Sequence, residues 1–432
     1  MRYEKPLESV RRAVELCRGL DHAPARAKVF IKPNIVFWTK AVPFPKYGVI
    51  TTSRVVEDVV MLLKERGLSD ITIGEGCVTL NPKDFETTAH AFESLGYGEL
   101  KKRYGVKFLN VFERPFKEVD LGGGVVLNFN QDALESDFLV DLPVLKTHAQ
   151  TVVSLGIKNL KGLIDLESRK RCHNADPDRD LNFHVAKLAD PMPPMLTLVD
   201  GLYTNERGPA IDGRIRRSNL LLASNDVLSC DLVGAKVLGW APADVPHLVQ
   251  AAQNRGRPLD LSDVTVAGEK VEEVASFHEY TIPYTEGDLL PLAMAKKGIR
   301  GLAYKKYDLT MCTYCSLLTG LVLTSIMMAW KGEPFDDVEV LTGKVMKPTP
   351  GRKKTILLGK CICEANKDHP DINEKLAIKG CPPPPKAIVK ALHRAGLMVD
   401  PNLFEHVDEL AGFFLPRYQG KPEFEEAHFR IS

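Results

Sequence analysis

Residues 139–163, LVDLPVLKTHAQTVVSLGIKNLKGL, decide how this chain is read. The stretch predicts a short apolar strand over 138–142, broken at Pro143, then a loop holding Lys146, Thr147 and His148. A helical pattern carrying Ser154, Lys158, Asn159 and Lys161 follows. In an open α/β sheet, ligands bind beyond the carboxyl ends of the strands. Lys146, Lys158, Lys161 and His148 fall within sixteen residues, which makes that place locally positive. An anionic small molecule is the guest such a site would take.

Working outward, the same arrangement recurs. A strand over 28–31 ends in Lys32-Pro33-Asn34, and a helix with Val55, Val56, Val59, Leu62 and Leu63 on one face runs to about residue 66. A strand over 71–73 then ends in Gly74-Glu75-Gly76. Strand, helix, strand in this order reads as a βαβ unit and a parallel sheet. The two glycines lack the spacing of a dinucleotide loop and the lysine of a P-loop, so Glu75 reads as a loop residue. Short strands over 107–111 and 125–129 suggest a hairpin edge. Strands over 196–199, ending in Asp200-Gly201, and 220–223, ending in Ser224-Asn225-Asp226, continue the series, with 264–267 as the last. Asp226 reads as the N-cap of a helix to about 238. The expected fold is α/β, a doubly wound, mostly parallel sheet with a smaller C-terminal α/β metal-binding domain. We place the boundary near residue 290, giving a ligand-binding domain over 1–290 and a cysteine-containing domain over 291–432.

The bulk numbers limit the function classes. A net charge of +1 over 432 residues offers no global attraction to nucleic acid, and no basic stripe with interleaved aromatics is present. The apolar run 317–330 is too short to span a bilayer, and the first residues lack the apolar core of a signal peptide. We expect a cytoplasmic protein with no membrane span, where nine cysteines stay reduced and point to metal or redox chemistry. No G-x-S-x-G elbow supports serine hydrolysis.

Five of the nine cysteines lie in the last third. Cys312 and Cys315 form a C-x-x-C at the start of the apolar helix. Cys361 and Cys363 follow a strand over 355–358, and Cys381 precedes a helix over about 386–395. Tetrahedral thiolate sites need four sulfurs from several loops, and a C-x-x-C supplies two on one turn. We choose Cys312, Cys315, Cys361 and Cys381. Cys363 is the spare, facing the other side of an extended segment. An iron–sulfur cluster, foremost 4Fe-4S, a structural zinc and a metal-free dithiol all remain open. Cys17 and Cys230 read as core thiols, whereas Cys77 and Cys172 lie on loops near the proposed cleft.

Several of these pieces together resemble a prokaryotic family catalogued as domain of unknown function three-six-two: Lys32-Pro33-Asn34, the 51–76 βαβ stretch, Leu145–His148 with Gly156–Gly162, Val199-Asp200-Gly201 before Gly208-Pro209, and Ala223–Asp226. The resemblance covers about residues 28–240. It implies an associated iron–sulfur segment, commonly a ferredoxin-like insertion with dense cysteines, from which the sparse C-terminal set here departs.

The candidate catalytic residues are therefore Lys146, His148 and His173, with Lys32, Asn34, Lys158, Asn159 and Asp200 as ligand-binding groups. His173 and His184 flank an acidic loop and have the titration range of proton-transfer groups. The basic run Arg169-Lys170-Arg171 reads as a solvated face. Three functions compete: an iron–sulfur oxidoreductase acting on an anionic small molecule with an electron-transfer protein as partner, a lyase or isomerase using the metal as Lewis acid, and a binding protein whose metal is a scaffold.

Overall fold

The computed structural model describes residues 1–79, 81 and 84–431. Two compact units account for them: one from 1–169, 182–281 and 411–432, the other from 170–181 and 282–410. Each unit thus takes a segment from beyond the chain-order line at 290.

The first unit is an α/β fold. Its strands are β1 (Lys28–Pro33), β2 (Asp70–Glu75), β3 (Lys107–Asn110), β4 (Phe116–Asp120), β5 (Val126–Asn130), β6 (Phe138–Leu142), β7 (Val144–His148), β8 (Val152–Ser154), β9 (Met195–Glu206) and β10 (Arg214–Ser224). Helix α1 (Glu8–Leu16) precedes the sheet, and α2 (Ser53–Glu65) joins β1 to β2. One turn, α3 (Gly156–Asn159), follows β8, and α4 (Val227–Val237) follows β10. β3, β2, β1 and β6 run parallel side by side, and β6 is parallel to β9. The chain goes from β1 outward to β2 and β3, then returns to the other side of β1 with β6. That reversal is the topological switch point of a doubly wound sheet.

β6 and β7 are one bent strand rather than a strand and a loop. Thr197 pairs with both Asp141 and Ser224, and Asp200 with both Val144 and Leu221. β10 therefore holds one edge of β9, and β6 and β7 share the other. Pro143 lies at the bend, where its carbonyl accepts from Asp200 N at 2.8 Å. Beyond it the strand leaves β1 and gains β8 as an antiparallel neighbour. A proline removes one ladder donor without stopping a strand whose neighbour can bond its carbonyl.

Other expectations need correction. Residues 152–154 form a strand, and the helical stretch after them is only α3 and one 3-10 turn over Leu160–Leu163. The hairpin pairs β4 with β5, while β3 joins the main sheet. β9 and β10 extend into a long antiparallel ribbon, and residues 264–267 form no strand. Asp226 does cap α4, accepting from Ser229 N at 3.0 Å.

The second unit is a smaller α/β body: four parallel strands β11 (Leu302–Tyr304), β12 (Val338–Leu341), β13 (Lys354–Leu358) and β14 (Glu374–Ile378), in that spatial order. Its helices include α5 (Thr313–Ala329), α6 (Lys360–Ala365) and α7 (Pro385–Arg394). α5 covers most of the apolar run and, among the described residues, no helix is long and apolar enough to cross a membrane.

Candidate functional site

At the switch point of the first unit, six buried polar side chains meet. Lys32, on β1, is fully buried and pairs with Glu75 Oε2 at 2.6 Å, where Glu75 is the last residue of β2. The same ammonium donates to Pro33 O at 2.7 Å and Asn159 Oδ1 at 3.3 Å. Glu75 is further held by Ile35 N at 2.9 Å and Gly76 N at 2.8 Å. Burying a charge is tolerable only with a partner and further hydrogen bonds, and both ions have them.

Asn34 and Asn159 extend this pair in two directions. Lys146 Nζ donates to Asn34 Oδ1 at 2.7 Å and to Val49 O at 2.9 Å. Asn34 Nδ2 donates to Asn159 Oδ1 at 2.8 Å, and Asn159 Nδ2 donates to Asp141 Oδ1 at 2.8 Å. Burial, with the nearby Lys32 charge, brings the Lys146 amine down to about 7. Burial also pushes the Asp141 carboxyl well above the usual carboxylate range, and its Oδ2 has no protein partner. A lysine whose amine burial lowers and an aspartic carboxyl that burial raises thus terminate one hydrogen-bonded chain.

Gly162 explains why the turn after α3 must be bare. A methyl there would stand 2.5 Å from Lys32 Cε, 2.6 Å from its Nζ and 2.8 Å from Glu75 Oε1. The turn itself is pinned by Asp231 of α4, whose carboxylate accepts from Gly156 N at 2.7 Å and Ile157 N at 2.9 Å. Burial raises the Asp231 carboxyl to about 7 despite those bonds.

Of the residues expected from sequence, Lys32, Asn34, Lys146 and Asn159 come together here. The two lysines spend their N–H groups on interior acceptors rather than facing outward as an anion clamp. Asp200 is buried, with its oxygens taken by Thr52 N at 2.6 Å, at the start of α2, and Leu202 N at 3.0 Å. His148 and Lys158 are only partly buried, and His148 Nδ1 accepts from Gln150 N at 3.1 Å. His173 belongs to the second unit, where its Nδ1 meets Leu309 O at 2.9 Å. Glu75 is not a loop residue, and Asp141 and Asp231 were missed altogether.

The second unit gathers thiols. Cys315 shares a hydrogen bond with Cys312, and the charges of Cys361 and Cys381 both act on it. Cys381 in turn feels Cys312 and Cys361. Gly359, between β13 and α6, leaves room for the Cys315 sulfur, which would lie 3.0 Å from an added Cβ. Cys361 and Cys363 occupy a helix rather than an extended segment; Cys363 turns inward and reaches Leu357 O at 3.5 Å. All nine cysteines are free thiols. Among the described residues no three His, Cys, Asp or Glu side chains are drawn close enough to hold a metal ion. The four sulfurs are therefore neighbours within electrostatic reach, not a closed cage. In the first unit, Cys17 and Cys230 border a cavity of about 340 Å³.

Residues 29–236 match the model of a family described as Domain of unknown function (DUF362). A curated relative, the "Thylakoid-associated protein sll1697" of Synechocystis, is 27% identical over 253 residues, covering 58% of this chain and 74% of that protein. Among solved structures, the lactate racemase apoprotein from Thermoanaerobacterium thermosaccharolyticum is 18% identical, with a TM-score of 0.34. That match covers 56% of this chain and 57% of the racemase chain.

Proposed function

We propose, for a chain whose residues 29–236 carry the DUF362 domain, an iron–sulfur oxidoreductase in which the two units divide the work. The second unit would hold a cluster, foremost 4Fe-4S, on Cys312, Cys315, Cys361 and Cys381; when bound, such a cluster supplies one-electron transfer. What supports this reading is that Cys312, Cys361 and Cys381, from three separate segments, all act electrostatically on Cys315, while Cys363 turns away. All-thiolate donors beside a bare glycine suit an iron–sulfur group.

The first unit's part is proton exchange. A neutral Lys146 has two N–H groups, and Asn34 Oδ1 and Val49 O use both. Its lone pair is then left to take a proton, the behaviour of a general base tuned near neutral pH by burial. Lys32 and Glu75 hold Asn34 and Asn159 in register, and so orient that lone pair. The substrate class we assign is an anionic small molecule approaching the partly exposed His148 and Lys158, since Lys32 and Lys146 have committed their donors inward.

Anaerobic purification with iron, acid-labile sulfide and zinc analysis tests the reading. A brown protein that bleaches with dithionite, loses iron in Cys381→Ser and keeps it in Cys363→Ser is the expected result. A colourless protein with stoichiometric zinc overturns it.

A further inference from the structure

We infer that a cavity of about 720 Å³ in the first unit binds a flat, uncharged heteroaromatic molecule that carries a hydrogen-bond acceptor. The inference goes beyond the reading above and depends on neither the thiols nor the lysine network. Two stretches far apart in sequence supply most of the wall, 38–47 and 415–426, with His90 and Ser94 added from the helix Glu86–Ser94. The volume lies within the range of about 300–1,000 Å³ common to small-molecule sites.

The wall selects a flat guest. Five of its seventeen described residues, Trp38, Phe44, Tyr47, Tyr418 and Phe424, are aromatic, against 7% of the whole chain. Trp38 stacks on Phe44 with centroids 4.6 Å apart, and the rings of Tyr47, Tyr418 and Phe424 lie within 5.6 Å of one another. Such rings gain from offset or edge contact with a further ring, beyond the area it buries. The charges on the wall are already matched. Lys46 pairs with Glu426 at 2.8 Å, and Glu426 also accepts from Tyr47 Oη at 2.9 Å. Lys40 pairs with Glu86 at 2.9 Å. An anion would have to draw a lysine from its carboxylate, so an uncharged guest fits better.

The need for an acceptor comes from His90, which is half-buried. Trp38 Nε1, a group that can only donate, donates to His90 Nδ1 at 3.0 Å. The neutral imidazole therefore carries its proton on Nε2. Among the described residues the ring bonds only through Nδ1, so Nε2–H is the donor His90 offers a guest. A crevice left by loop packing is the plain alternative, and it would not call for this concentration of rings. Proline-rich segments also dock in aromatic-lined grooves. Such a segment would draw on the Trp38 N–H and the Tyr47 O–H, both spent inside the protein.

The test uses the full chain and quinoxaline as probe, a flat, uncharged bicycle whose two ring nitrogens are acceptors. Calorimetric titration follows binding, and a melting curve is taken on every variant. Quinoxaline should bind at one site. Indole, similar in size but without a ring acceptor, and quinoxaline-2-carboxylate should both bind more weakly. Ala41→Leu adds bulk from an exposed position on the wall, and should abolish binding with the melting midpoint unchanged. His90→Phe should weaken binding about threefold to tenfold, the worth of one hydrogen bond. His90→Gln keeps an acceptor for Trp38 and a donor for the guest, and should restore it. Absence of quinoxaline binding up to its solubility limit overturns the inference. Binding that either Ala41→Leu or His90→Phe leaves unchanged also overturns it, as does tighter binding of indole, of the carboxylate or of a decaproline peptide.

Discussion

Replacing Glu75 by Gln tests the buried pair directly. Its carboxylate lies 2.6 Å from the fully buried Lys32 ammonium and also accepts from two backbone N–H groups, Ile35 and Gly76. A Gln oxygen can replace Oε2, serving Lys32 and Ile35. Its NH₂ then faces Gly76 N–H, donor against donor, where Oε1 now accepts at 2.8 Å. Lys32 would keep its charge with only neutral acceptors. Leaving one member of a buried ion pair uncompensated costs roughly 3–5 kcal/mol. For a body of this size that is a fall of about 5–8 °C in the first unit's melting midpoint, read by calorimetry. The double variant Lys32→Met, Glu75→Leu removes both charges, so it should recover part of the loss. Recovery stops short because Ile35 N, Gly76 N and Pro33 O then lack their present partners. A Glu75→Gln midpoint within about 1 °C of the parent, roughly half a kcal/mol or less, would refute the pair as a structural element.

Other substitutions probe the same network. Gly162→Ala should destabilise by about 1–3 kcal/mol through overpacking alone, because Lys32 is held by three bonds and cannot move away; a chemical-denaturation midpoint equal to the parent's would contradict this. Lys146 titrates near 7 when folded and 10.5 when unfolded, so the unfolded chain binds more protons between those values and stability from this group rises with pH across that window. Lys146→Met should flatten that rise, so its melting midpoint gains less between pH 7 and pH 10 than the parent's does, and an equal gain would contradict this. Asp231 has the opposite sign: its folded value of about 7 against 3.8 makes stability from this group fall as pH rises between them. Asp231→Asn should remove that fall, and a pH profile unchanged from the parent would place the carboxyl's titration elsewhere.

Local signals carried much of this fold, and long-range ones did not. β6 is found over Phe138–Leu142 as its apolar run implies, and α2 keeps its buried valine and leucine face. Lys32-Pro33-Asn34 and Lys146 were legible as a polar gathering because each ends or follows a strand. Glu75 was not, since its role depends on Lys32, 43 positions earlier, and on a glycine at 162 that leaves them room. Asp141 hid because it is a single carboxyl within the otherwise apolar strand Phe138–Leu142, and its partner Asn159 lies 18 positions later. Pro143 read as a stop because the neighbour that accepts its bend, β9, starts some fifty residues later. The four cysteines were chosen for their places at strand and helix ends, whereas Cys363 was set aside on the wrong geometry: its helix, not an extended chain, turns it inward.

The polarity of the hydrogen bonds gives the lysine network its last property. Lys146, Asn34, Asn159 and Asp141 form one directed chain, each donating to the next. With Lys32 and Glu75 cancelling, the chain is neutral when Lys146 is unprotonated and Asp141 protonated. It stays neutral overall if Lys146 gains a proton and Asp141 loses one. A buried site resists change in net charge far more than rearrangement of charge within it. Asp141→Asn closes the second arrangement while keeping the shape, because Asn Oδ1 can still accept from Asn159. It should therefore leave neutral-pH stability within about 1 kcal/mol of the parent and shift the Lys146 titration further down, since the carboxylate that would share its charge is gone. Nitrogen-15 NMR of the lysine amines reads that shift, and an unmoved Lys146 titration would show that the two ends do not communicate.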